Sequence, residues 1–126
     1  MSDIEFEDVF SARKYIGRLI IAVLTDKLLV REAIKKFPKN ASDASIKCAY
    51  HALIHREADE DFRRTDLLYR DEQDNYLEQV AMILQRGEQL PKNIIKNYNQ
   101  YYRDIKINHS IEFKKWIKRI CKFLNV

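Results

Sequence analysis

The densest grouping of reactive side chains in this chain is Cys48-Ala-Tyr-His51-Ala-Leu-Ile-His55. His51 and His55 stand at i,i+4, a spacing that places two imidazoles on adjacent turns of one helix face, where both can reach a single ion. Asp59 continues that row, so His51, His55 and Asp59 are the candidate metal ligands. A metal hydrolase needs three protein ligands and an open water position; His109, Cys121 or an acid from another helix are further ligand sources. Ala52 occupies the position at which a His-Glu-x-x-His zinc site carries its general base. Against the metal stands a simpler expectation: two surface or half-buried histidines on an amphipathic helix with a core-facing cysteine. Cys48 lies at i,i+3 from His51, but no oxyanion site accompanies it. The serines include no Gly-x-Ser-x-Gly elbow.

Paired carboxylates are the second candidate. Glu57-x-x-Glu60 and Asp71-x-x-Asp74 set acids at i,i+3, able to hold Mg²⁺ against a phosphate. In outline this resembles the Glu-x-x-Glu…Glu-x-x-Asp pattern of all-α nucleotide pyrophosphohydrolases of the MazG type. That resemblance implies a metal-dependent phosphohydrolase-like bundle with the two pairs on facing helices. The only turn signal between Glu60 and Asp71 is Thr65-Asp66. The acids also alternate with Arg56, Arg63, Arg64 and Arg70, as on an exposed, ion-paired helix.

Third is a basic, tyrosine-rich C-terminal third. Lys114, Lys115, Lys118, Arg119 and Lys122 could neutralise phosphates or bind a partner, and tyrosines could stack on unpaired bases. Tyr98, Tyr101 and Tyr102, however, share a helical face with Ile94, Ile95 and Ile105, which makes them core residues first. The apolar side of 113–126 has the same alternative, so a membrane-surface role is not expected.

The elements that must position these groups are helices. The 126 residues contain two Gly and two Pro, where average usage gives roughly 15. So few punctuators exclude sandwiches, barrels and glycine-rich phosphate loops. Phe6, Val9, Ile16, Ile20, Val23, Val30, Ile34 and Phe37 recur at helical steps up to Pro38. Residues 1–37 therefore read as one helix or a pair, with Ser2 and Glu5 as a capping box and Thr25-Asp26 as caps of a second helix. Ser42 or Asp43 caps the next segment, which runs to Gly87 with Pro91 as a stop. As one helix, 42–87 would span roughly 66 Å, too long for a compact domain of about 14 Å radius of gyration. It either breaks near 64–66 or projects. Residues 91–126 are basic helices. The expected fold is an all-α bundle of four to six helices with one long central helix, in a single domain.

Charge is unevenly distributed along the chain. The net +4 divides into 14 Lys/Arg against 17 Asp/Glu over 1–90 (−3) and 9 against 2 over 91–126 (+7). Within 57–78, nine acids face three arginines (−6). The acidic N-terminus is unlike a signal peptide, the apolar run 15–24 is too short to span a bilayer, and two cysteines suit a reducing compartment. A cytoplasmic location is expected, with no cofactor and no membrane partner. From Tyr50 to Tyr76, acids, arginines and aromatics alternate, with a thin apolar contribution chiefly from Phe62, Leu67, Leu68 and Tyr69. The chain reads as a non-enzymatic protein–protein interaction or oligomerisation module, a dimer. The alternative is a nucleic-acid-associated accessory protein acting through the C-terminal lysines.

Overall fold

In a computed structural model, residues 8–38 and 42–102 are described, apart from the side chains of 97, 98, 100, 101 and 102. These residues form six helices and no strand: α1 (Val9–Leu24), α2 (Val30–Lys35), α3 (Ala44–Ala58), α4 (Glu60–Thr65), α5 (Leu67–Gln85) and α6 (Lys92–Tyr102). The fold is an all-α bundle. The expected capping box at Ser2 and the helices beyond residue 102 lie outside the described residues.

α1 starts at Asp8, whose carboxylate accepts from the Ser11 amide at 2.7 Å, satisfying one of the donors a helix start leaves open. It ends in a six-to-one turn: Lys27 N–H donates to Ala22 O at 2.8 Å and Asp26 N–H to Val23 O at 3.1 Å. That turn requires a left-handed residue at its apex, and Asp26 supplies it with φ 61°. Thr25 and Asp26 therefore close α1 and do not open α2. The Thr25 hydroxyl donates backwards to Ile21 O at 2.8 Å. α2 is opened instead by Glu32, which accepts from the Leu29 amide at 2.9 Å.

α5 ends with the same turn, Glu88 N–H donating to Ile83 O and Gly87 N–H to Leu84 O, with Gly87 at φ 77°. The Gly87–Pro91 stop is where the sequence puts it. Pro91 then gives its carbonyl to the amides of Ile94 and Ile95, starting α6.

The 42–87 segment is three helices. One break falls at Asp66, inside the expected 64–66 window, where the backbone is extended and the carboxylate caps α5 by accepting from the Tyr69 amide at 3.0 Å. A second break, at Asp59, has neither glycine nor proline to announce it. The long helix expected in this bundle is α5, which packs on α1, α3 and α4. α3 meets every other described helix, packing on α1, α2, α4, α5 and α6. It consequently buries Ile46, Cys48, Ala49, Tyr50, His51, Leu53 and Ile54, positions spread around its whole circumference.

α1 lies most extensively along α5. Ile16, Ile20 and Val23 of α1 and Leu77, Val80 and Leu84 of α5 are core residues. Gly17 is what allows the approach: a β-carbon there would come within 2.8 Å of Ala81 O and 2.9 Å of Gln85 N. The N-terminal end of α3 is tied to the same pair. Arg13 of α1 reaches Asp43 and Gly87 O, and the buried Ser45 hydroxyl accepts from the Leu90 amide at 2.9 Å.

Candidate interaction site

The bend α3–α4–α5 gathers most of the chain's unusual polar chemistry. Asp59 ends α3 with its backbone still in helical register, its amide donating to His55 O at 2.9 Å and its carbonyl accepting from Arg63 N at 2.8 Å. Its carboxylate caps nothing. It accepts from the Tyr69 hydroxyl at 2.5 Å and lies 3.5 Å from the Gln73 amide nitrogen, both on α5. Gln73 in turn accepts from Arg63 of α4. Arg63 and Arg56 both pair with a single carboxylate, Asp74, Arg63 at 2.8 Å. One polar network thus runs Arg56–Asp74–Arg63–Gln73–Asp59–Tyr69 and fastens three helices at their junction.

On one side of this network is a depression of about 800 Å³ lined by Asp59, Asp61, Phe62, Asp66, Leu68 and Glu72 among others. Phe62 meets Tyr69 edge to face at 4.9 Å between ring centres, a favourable aromatic geometry. Phe62 nevertheless remains 55% exposed and Leu68 71% exposed. The acids around them form a rim: Asp61, Asp66 and Glu72 are exposed. A separate groove of about 470 Å³ is lined by Arg56, Arg63, Arg64 and Arg70 together with Asp26, Glu57 and Glu60.

The expected metal set does not converge. His51 is buried, and its Nδ1–H donates to Lys47 O at 2.9 Å, while its ring stands edge-on to Tyr50 at 5.1 Å. Burial pushes the imidazole down to about 4, against the pull of that carbonyl, so the ring is neutral at pH 7. His55 is also lowered by burial, opposed by Asp59. Asp59 is committed to Tyr69. Among the described residues no group of three or more His, Cys, Asp or Glu is placed to hold a metal ion. Cys48 is buried and its thiol is pushed up to about 12 by desolvation, with Asp43 adding to the rise; a thiol held in that form is a poor nucleophile.

The carboxylate pairs are likewise engaged with arginines. Glu57 faces Arg31 at 4.0 Å, Glu60 accepts from Arg64 at 2.8 Å, and Asp71 lies 3.3 Å from Arg70. Asp74 takes both buried-side arginines. His109, Cys121, Lys114, Lys115, Lys118, Arg119 and Lys122 lie outside the described residues, as do the side chains of Tyr98, Tyr101 and Tyr102.

Sequence reasoning passed over Arg56 and Arg63 as members of a site. Their signal was present: Arg56, Arg63 and Arg70 recur every seven residues, two helical turns apart, and so mark one stripe of a helical segment. The partner acid on α5 could not be named from that spacing.

The chain matches no family model, no curated protein and no solved structure. Among the described residues no helix is long and apolar enough to cross a membrane.

Proposed function

We propose that this protein is a non-enzymatic self-association module that docks a second copy of itself on the α4–α5 elbow. The observation that carries this reading is the exposure of Phe62 and Leu68 side by side on a surface otherwise rimmed by acids. Large apolar side chains grouped within a polar rim are the usual composition of a docking surface. The polar network behind them holds the elbow in shape before any partner arrives, which lowers the ordering cost of association.

A second copy is the favoured occupant because the same chain carries the complementary charge. Residues 57–78 sum to −6 and residues 91–126 to +7. In a two-fold dimer each acidic elbow would meet its partner's basic third, and both contacts would form at once. Charge complementarity of this kind guides encounter and orientation, while the apolar residues supply the persistence of the complex.

Sedimentation velocity over a wide concentration range tests the reading. The wild-type chain should sediment as a dimer, and Leu68→Asp, a change at an exposed position, as a monomer with an unaltered helical circular dichroism spectrum. A wild-type chain that stays monomeric at every accessible concentration would overturn the proposal.

A further inference from the structure

The groove lined by Arg56, Arg63, Arg64 and Arg70 holds two nearly buried guanidinium groups that converge on one carboxylate. Arg56 and Arg63 keep only 16% and 9% of their side-chain surface exposed, yet they share one carboxylate, Asp74. The next carboxylate of the network, Asp59, reaches Arg63 only through Gln73, and Asp26, Glu57 and Glu60 share the lining of the groove. Glu57 is turned to Arg31 and Glu60 to Arg64, and Asp26 is exposed on the connecting loop at the groove's lip. Each arginine carries five N–H donors. Among the described residues Arg56 uses them on Asp74 alone, and Arg63 on Asp74 and Gln73.

We propose that the Arg56–Arg63 end of this groove binds the phosphate group of a small phosphorylated molecule. A phosphate offers several acceptor oxygens and up to two negative charges, so it can accept from two converging guanidinium groups at once. Arg64 and Arg70, which also line the groove, are held only by exposed, solvent-screened ion pairs. They can therefore turn to the incoming anion at little cost. Val23, Leu28 and Leu67 line the remainder and give an apolar wall for the body of the molecule. The volume, about 470 Å³, lies within the range of small-molecule sites. This inference is independent of self-association at the elbow.

The test is titration of the full chain with inorganic phosphate, followed by NMR at the arginine Nε–H signals, against sodium chloride at equal ionic strength. The signals of Arg56 and Arg63 should shift saturably with phosphate and not with chloride. Arg56→Gln should abolish the response, and Arg86→Gln, a change at an exposed pair remote from the groove, should leave it intact. Should Arg56→Gln fail to fold, which the same spectra reveal, the exposed double change Arg64→Gln with Arg70→Gln should weaken binding about ten-fold. A response that chloride reproduces, or that survives the groove substitutions at full strength, overturns the proposal.

Discussion

Arg13 holds Asp43 from across the bundle, its Nη2 donating to Oδ1 at 2.8 Å and its Nε to Oδ2 at 3.3 Å. The same carboxylate caps α3 by accepting from the Ile46 amide at 3.1 Å. The remaining nitrogen of the guanidinium donates to Gly87 O at 3.1 Å, so one side chain of α1 satisfies the start of α3 and the end of α5. The two partners are not equivalent. Asp43→Ala removes the cap and leaves a largely buried guanidinium with one carbonyl acceptor. Arg13→Met leaves the cap in place and replaces the buried charge with apolar bulk. Urea unfolding should show Asp43→Ala destabilised by about 2–4 kcal/mol and Arg13→Met by clearly less. Equal losses would contradict this account.

Gly17 is set by contact distance. Adding one methyl there meets backbone atoms of α5, which cannot move aside as a side-chain tip would. Helix propensity alone would favour alanine by about 1 kcal/mol. The crowding should outweigh it, and Gly17→Ala should melt lower, with a net loss of about 1–3 kcal/mol. A higher melting temperature would mean that α1 and α5 do not approach as described.

The two helix ends built alike differ at their apex, Asp26 against Gly87. A left-handed aspartate is strained where glycine is not. Asp26→Gly should stabilise the fold by about 0.5–1 kcal/mol. Gly87→Ala should destabilise it, both read by thermal denaturation.

Protonation of His51 opposes folding. Its folded value, about 4, lies below the ordinary 6.5, so the unfolded chain binds the proton first as pH falls. The stability due to a neutral His51 is complete above about pH 6.5. It is lost progressively down to about pH 4, amounting to about 3 kcal/mol at the low end. His55, shifted in the same direction, adds to the loss. His51→Gln should flatten the stability profile between those two values relative to wild type. Parallel profiles for the two proteins would show that His51 is accessible to protons in the native fold.

The legible parts of this fold were those written in backbone chemistry. Pro38, Asp43, Asp66 and Gly87 each act through their own main chain or a neighbour's amide, and each falls at the end of an element. The Asp59 break was not legible because Asp59 keeps the local helical bonds and turns its carboxylate to Tyr69, ten residues on. The sequence alone suggests surface or half-buried positions for His51 and His55, because a helical wheel separates faces, whereas His51 is buried. α3, surrounded on all sides, has no solvent face over its first turns. Phe62, Leu67 and Leu68 stood out as a thin apolar contribution, and Leu67 and Leu68 indeed begin α5 without entering the core. The Arg56–Asp74 pairing depends on how α5 folds back on α3, which no local pattern encodes.

The close seating of α1 on α5 sets an order of events during synthesis. Gly17 must wait for Ala81, 64 positions later, and at roughly 5–20 residues per second that is an interval of several seconds. Throughout it, Ile16, Ile20 and Val23 have no α5 to cover them. A nascent chain in this condition offers an apolar helix to chaperones before it offers one to its own bundle. The fold is completed only when its first helix meets its fifth.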